Sequence, residues 1–370
     1  MQVSEISSLT TQLLWAGFIL SVLFGAIAQR THFCTMGAIS DVVNIGDWTR
    51  MRQWVLAVGV AMIGFAGLVF WGVVDPSKTL YASNKVMWLS AIVGGCMFGF
   101  GMVLASGCGS KTLVRMGGGS LKSLVVFVVL GVASFATLKG ITAVMRVMTV
   151  DRVYFESASG SQLPQIFAGA LGGNATAALT LGLLMGVALV IWALMGKGFM
   201  DFNNLLAGLG IGMLVVFAWW LSGSFGHVAE HPETLQEAFL ATNSGRAEAL
   251  SFVAPIAYSL DWLMFFSDKS KLLTLGVVSV AGVVTGSALT ALLGGTFRWE
   301  GFGGTEDIAN HLVGAVLMGV GGVTALGCTV GQGLSGISTL SVTSFFAVAG
   351  IFSGAVAAFK YQIARLEHSD

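Results

Sequence analysis

Two of the four cysteines in this 370-residue chain occupy matching contexts. The first lies in Gly107-Cys108-Gly109-Ser110-Lys111-Thr112 and the second in Gly327-Cys328-Thr329-Val330-Gly331-Gln332-Gly333. Each follows one apolar run and precedes another. The run before each cysteine also repeats in register: Gly94, Gly99, Gly101, Val103, Ala105 and Gly107 recur as Gly314, Gly319, Gly321, Val323, Ala325 and Gly327. Such a turn suits an anion. Glycine lets the backbone approach a ligand closely, and the unpaired N–H groups at the start of the following helix point toward it. One helix terminus contributes roughly 0.3–1 kcal/mol to anion binding, up to about 2 when partly buried. Desolvating a dianion costs far more than that, so at least two such turns, converging from opposite sides, are needed.

The thiol narrows the kind of anion. An S–H is a weak donor and its sulfur is soft and polarisable. A hard oxyanion gains little from it over a serine hydroxyl, whereas a terminal sulfur can be met by it. Weak sites in series also let a passenger leave each one, as conduction requires. Cys34 sits in Gln29-Arg30-Thr31-His32-Phe33-Cys34-Thr35-Met36-Gly37-Ala38. There Arg30 and His32 offer positive or titratable character that would favour a thiolate or an approaching anion. The alternative, a boundary arginine with a buried cysteine nearby, is left open by spacing. Cys96, in mid-run and outside the turns, reads as a small packing residue.

The elements that must position these groups belong to a membrane. Apolar residues make up 55% of the chain and charged residues 10%, and the mean hydropathy is +0.85. A soluble domain carries about a quarter charged residues. Net charge is zero and no basic block occurs, which argues against nucleic acid. The cysteines lack the spacing of a disulfide or zinc framework and read as free thiols. Met1–Gln12 carries Glu5 and no Lys or Arg, unlike the basic start of a cleaved export signal, so the first apolar run is expected to be retained. Spans are expected near 13–29, 54–73, 88–106, 120–138, 174–195, 205–222, 272–293, 311–327 and 338–359, with a short half-helix in 162–173. Several are short or crowded with glycine, which points to broken or re-entrant elements.

The fold class expected is therefore an all-α polytopic membrane protein: one domain over 1–370, with nine spans and short re-entrant half-helices. Its repeat halves fall near 1–140 and 165–370. Internal repeats are common in transporters, which place the substrate site near the midplane between them. Glycines four apart (Gly95 and Gly99, Gly182 and Gly186, Gly208 and Gly212, Gly282 and Gly286, Gly350 and Gly354) are the small-residue faces by which helices pack in lipid. Basic residues after the first and third spans (Arg30, Arg50, Arg52; Lys111, Arg115, Lys122) place the N-terminus outside and the C-terminus inside. The segment 223–271 is then an external loop, in which Glu230, Glu233, Glu237, Glu248, Asp261 and Asp268 outnumber Arg246, Lys269 and Lys271. Trp15, Trp71, Trp88, Trp219, Trp220 and Trp262 fall where an aromatic belt would lie. His227 and His231 have helical spacing, but Pro232 follows and no further ligand is near, so neither a metal nor a cofactor is expected. Lys111, directly after the first turn, reads either as an attractor for the anion or as a simple inside charge.

The Arg30-Thr31-His32-Phe33-Cys34-Thr35-Met36-Gly37-Ala38 stretch, together with the two Gly-Cys turns, resembles the YeeE/YedE family over nearly the whole chain. The resemblance implies an hourglass of helices with pseudo-symmetric halves. It also implies a path on which Cys34, Cys108 and Cys328 pass thiosulfate by S–H hydrogen bonds, and a TusA-like sulfur-carrier protein as cytoplasmic partner. This chain departs from compact members in its 223–271 segment and in Cys96. The function expected is thiosulfate transport across a bacterial inner membrane by a protein that is not an enzyme. Cys34, Cys108, Cys328, Gly107, Gly109, Gly327, Lys111 and Arg30 would line the path. The alternatives are transport of another sulfur or selenium compound, or a membrane sulfurtransferase that forms a cysteine persulfide. Against the last, no activating base declares itself beside a cysteine.

Overall fold

A computed structural model describes residues 3–232, 234–268 and 270–367, so Glu233 and Lys269 lie outside the described residues. Fifteen helices follow in order: α1 (Val3–Thr31), α2 (Thr35–Asn44), α3 (Thr49–Phe70), α4 (Trp88–Leu104), α5 (Gly109–Gly117), α6 (Leu121–Lys139), α7 (Ile141–Met148), α8 (Leu163–Phe167), α9 (Asn174–Leu194), α10 (Phe202–Leu205), α11 (Ile211–Trp220), α12 (Val253–Met264), α13 (Leu275–Leu293), α14 (Thr305–Thr324) and α15 (Val342–Glu367). Among the described residues nine stretches are long and apolar enough to cross a membrane, one at each expected position. Helix ends differ from hydropathy ends where polar residues continue the helix beyond hydrocarbon. Thus α1 begins at Val3 rather than near 13, and α14 at Thr305 rather than near 311. The half-helix expected in 162–173 is α8. Large apolar side chains such as Trp15, Leu184 and Leu293 stay exposed, because lipid covers them without penalty.

Glycine sets how closely the helices approach. The repeated helices α4 and α14 cross through their shared glycines: a Cβ on Gly94 would collide with the Gly321 carbonyl, and one on Gly101 with the Gly314 carbonyl. Since Gly94 is the counterpart of Gly314, and Gly101 of Gly321, each half of the contact mirrors the other. This is the signature of a two-fold relation between the repeats. The halves also exchange arms. Gly99 on α4 packs against Ile351 and Ala355 of α15, and its counterpart Gly319 on α14 packs against Leu130 and Ser134 of α6. Past the cysteine turns the offset between repeats has therefore grown by one residue. The π-helical stretch Gly331–Gly336 absorbs the extra residue, as a π-bulge does. Around this centre α13 packs on α1 and α9 on α3. The glycine pairs on α9 and α13 lie against α3 and α1 respectively.

Connections close the two ends. At one end β1 (Lys85–Val86) pairs antiparallel with β2 (Phe155–Glu156), β3 (His227–Val228) pairs with β4 (Ala238–Phe239), and bridges join Thr79 to Ala247 and Gln162 to Ser341. At the other end Ser120 bridges Glu300. The 223–271 segment is more than a loop. Its helix α12 packs on α6 and α13 with Ile256 and Ala257 fully buried. Trp219 is likewise no belt residue. It is fully buried, its indole N–H donates to Ser338 Oγ at 3.0 Å, and its ring meets Phe65 and Tyr81.

Candidate functional site

Three turns carry the cysteines, and all three are built alike. Two residues before each cysteine stands a non-glycine residue in the left-handed region: His32 (φ 53°), Ser106 (φ 54°) and Leu326 (φ 59°). Each ends a long helix. After α4 the Gly107 N–H bonds Met102 O at 2.8 Å, and after α14 the Gly327 N–H bonds Gly322 O at 2.8 Å, the six-to-one closure of a helix C-terminus. A left-handed non-glycine residue is strained by about 1–3 kcal/mol, and such residues gather at functional sites. The cysteine that follows begins a new helical segment. Its sulfur takes the backbone N–H three residues on, Gly37 for Cys34 and Gly331 for Cys328, each at 3.4 Å. Cys108 stands at the N-cap position of α5 without a side-chain cap bond. The Cys34 and Cys328 thiols thus cap helical segments, and all three cysteines stand at helix starts, where the N-terminal partial positive charge is greatest.

The three turns meet at Cys108. Its thiol lies close to that of Cys34 and to Thr329, the residue after Cys328, and shares a hydrogen bond with Ser110 Oγ at 3.3 Å. Exposure falls from 7% at Cys34 to 1% at Cys108 and 0% at Cys328, so all three thiols are shut off from solvent in this conformation. Gly107 leaves room for the Lys111 side chain and Gly327 for that of Gln332, while Gly109 faces Phe252, Val253 and Ile256 near the start of α12. Tyr81 OH donates to Gly331 O at 2.5 Å and Ser335 Oγ to Leu250 O at 2.7 Å. These two bonds hold the Cys328 turn against the end that carries the β-pairs.

Lys111 lies within the electrostatic reach of both Cys34 and Cys108, with Arg50 and Arg115 as its nearest cations. Arg50 grips Asp41 through two hydrogen bonds of 2.5 and 2.8 Å, and a Cβ on Gly37 would strike its guanidinium. Arg115 Nη1 donates to Ser106 O at 2.8 Å and so closes the strained turn. Arg30 is not among this group: it is exposed, and its guanidinium sits over the Phe202 ring at 5.7 Å. Of the residues singled out from sequence, Cys34, Cys108, Cys328, Gly107, Gly109, Gly327 and Lys111 gather around the three turns. Ser110, Thr329, Tyr81 and Arg50 join them without having been singled out. Adjacency to the cysteines would have pointed to Ser110 and Thr329; nothing local points to Tyr81. Away from the site, His227 Nε2 contacts Glu237 at 2.5 Å, and Cys96 lies on α4 where its backbone meets Gly350 and Gly354 of α15.

A family model described as "Sulphur transport" matches residues 30–357. Among curated proteins the chain is 24% identical to the thiosulfate transporter TsuA of Spirochaeta thermophila over 349 residues, covering 90% of this chain and 94% of that one. It is 26% identical to the thiosulfate transporter TsuA of Escherichia coli over 347 residues, or 86% of each chain. A shorter match, 31% over 99 residues, is to the probable transporter YedE of Escherichia coli.

Proposed function

This chain belongs to the sulphur transport (YeeE/YedE) family, and we propose that it carries thiosulfate across a bacterial inner membrane through the three cysteine turns. The observation that supports this most is the gathering of the three cysteine turns around Cys108. Thiosulfate is a dianion with one soft terminal sulfur. Helix starts at Thr35, Gly109 and the 331–336 stretch offer partial positive charge to its oxygens, and the thiols offer weak S–H donors to its sulfur. The passenger would move from Cys328 past Thr329 to Cys108, then to Cys34 and Lys111.

The end with the β-pairs faces outward in this reading, with the N-terminus on that side. Arg50, Lys111 and Arg115 then flank the inner exit, and the C-terminus is cytoplasmic, where a TusA-like sulfur carrier would accept or withdraw product. Inward movement against a negative-inside potential is opposed by about 2.3 kcal/mol per charge per 100 mV, so consumption inside or a coupled ion must supply the drive. The direct test is uptake of labelled thiosulfate into proteoliposomes, with sulfate, sulfite and selenite as competitors. Uptake that sulfate does not suppress, and that falls in Cys108→Ala and Cys328→Ala, supports the reading. Full uptake in both variants overturns the thiol path.

The Cys34–Cys108 contact favours one second reading, a sulfurtransferase. A thiolate would attack the terminal sulfur of thiosulfate, forming an S–S bond as the original one breaks and sulfite leaves with the electron pair. A mass increase of one sulfur atom on either cysteine after thiosulfate exposure, with stoichiometric sulfite release, would establish it.

A further inference from the structure

A cavity of about 290 Å³ lies between α1, α12, α13 and the 243–251 segment and ends at Gly327, beside Cys328. Its wall is largely apolar, but Glu248 lines it together with Tyr258, Asn243, Ser251 and Arg146. Glu248 is fixed in place. Its N–H donates to Ser222 Oγ at 3.1 Å, and its Oε1 accepts from Ser244 N at 2.7 Å. Ser222 itself lies in the π-helical stretch Leu221–Phe225. Tyr81, which holds the Cys328 turn, is close enough to feel both Cys328 and Glu248.

No cation pairs with this carboxyl among the described residues. Arg146, on the same wall, is held by Asp151 at 2.9 Å. Arg246 donates to Ala82 O at 2.5 Å, and Lys78 binds Glu237 at 2.5 Å. The remaining titratable neighbours, Tyr81 and Tyr258, are neutral, and the Tyr81 hydroxyl is already spent on Gly331 O. An anion next to Gly327 would therefore share a largely apolar cavity with an uncompensated carboxylate, and like charges in such a place disfavour both being ionised. Burial already raises the Glu248 carboxyl above its usual range, opposed in part by the N–H groups of Ser244 and Asn243.

We propose that Glu248 is the proton-binding group of this entrance, and that an anion occupies the cavity only when the carboxyl is neutral. The inference rests on the transport reading above. The carboxylate takes one proton from the water on that side and no other bond changes; the resulting O–H becomes a donor to the arriving anion. By reciprocity the proton tightens anion binding as much as the anion tightens proton binding.

The test is calorimetric titration of thiosulfate into the full-length protein, in buffers of different ionisation enthalpy, from about pH 5.5 to 8. Thiosulfate stays dianionic throughout, so any proton uptake belongs to the protein. Wild type should take up close to one proton per anion where free Glu248 is ionised, with Kd rising by up to about tenfold per pH unit there. Glu248→Gln should bind without proton uptake and with a Kd independent of pH. Binding to wild type with no proton uptake at any pH overturns the inference and leaves the transport reading intact; so does unchanged uptake in a folded Glu248→Gln. Thiosulfate that fails to bind wild type at any pH overturns both. The wild-type proton count needs no variant, so a misfolded Gln protein does not rescue the idea.

Discussion

Replacing Cys328 separates the thiol's part in folding from the part in transport proposed for it. Its sulfur is fully buried and accepts the Gly331 N–H. Alanine removes that acceptor and leaves a buried N–H unsatisfied, at about 1–3 kcal/mol. Serine keeps an acceptor at the same cap, so Cys328→Ser should recover most of that loss. Transport should respond differently. A hydrogen bond to a charged partner is worth about 1.5–3 kcal/mol, so removing the one that meets the terminal sulfur weakens that step roughly 10- to 100-fold. A hydroxyl is a harder donor, suited to the oxygens that sulfate also carries. The assay pairs thermal melting in detergent with initial rates of labelled thiosulfate uptake, in wild type, Cys328→Ala and Cys328→Ser. The expected pattern is a melting temperature lowered in Ala and mostly restored in Ser, uptake reduced at least several-fold in both, and stronger inhibition by sulfate in Ser. Wild-type uptake by Cys328→Ser would refute the role given to soft sulfur. Wild-type uptake by Cys328→Ala would refute the relay.

The crossing of α4 and α14 predicts that Gly101→Val and Gly321→Val are equivalent lesions, since each Cβ strikes the backbone of the opposite repeat. Each should cost about 1–3 kcal/mol or more, read as a lower melting temperature or a loss of monodisperse protein. Lys111→Met should raise the KM for thiosulfate several-fold while leaving the melting temperature near wild type, because its charge lies beside Cys34 and Cys108; an unchanged KM would assign it to topology alone. At the β-paired end Lys78 and then His227 hold the Glu237 carboxyl below its usual range. A carboxyl depressed in the folded state stabilises above its unfolded value and loses that contribution as pH falls through the folded one. The melting difference between wild type and Glu237→Gln should therefore be small at pH 7, of the order of an exposed pair at about 0–1 kcal/mol, and should vanish on acidification below about pH 4.

The membrane class, the nine spans and the repeat were legible because each depends on local composition or on self-similarity. A run of apolar residues cannot be solvated, and lipid demands that its backbone bonds close within the helix. The glycines at four-residue spacing announced close packing, and the register of Gly94 with Gly314 and of Gly101 with Gly321 announced the repeat, while its two-fold relation came only from the reciprocal contacts. The two Gly-Cys turns were visible for the same reason. What the chain could not disclose is which distant residues those turns meet. That Cys34 comes close to Cys108, that Thr329 lies near them, that Tyr81 holds the Cys328 turn and that Arg50 rather than Arg30 approaches the Cys34 turn all follow from how the helices cross. Hydropathy also could not separate Trp219 in the core from Trp220 beside it, which is 41% exposed, since both lie on one apolar helix and only the neighbouring α3 decides which face is inside. The same holds for α12 and Glu248: a polar, acidic stretch reads as a loop until packing shows one helix buried and one glutamate lining a cavity. Local chemistry specifies elements and their caps, whereas pairing between elements is set by the summed fit of many surfaces, which no single stretch of residues encodes.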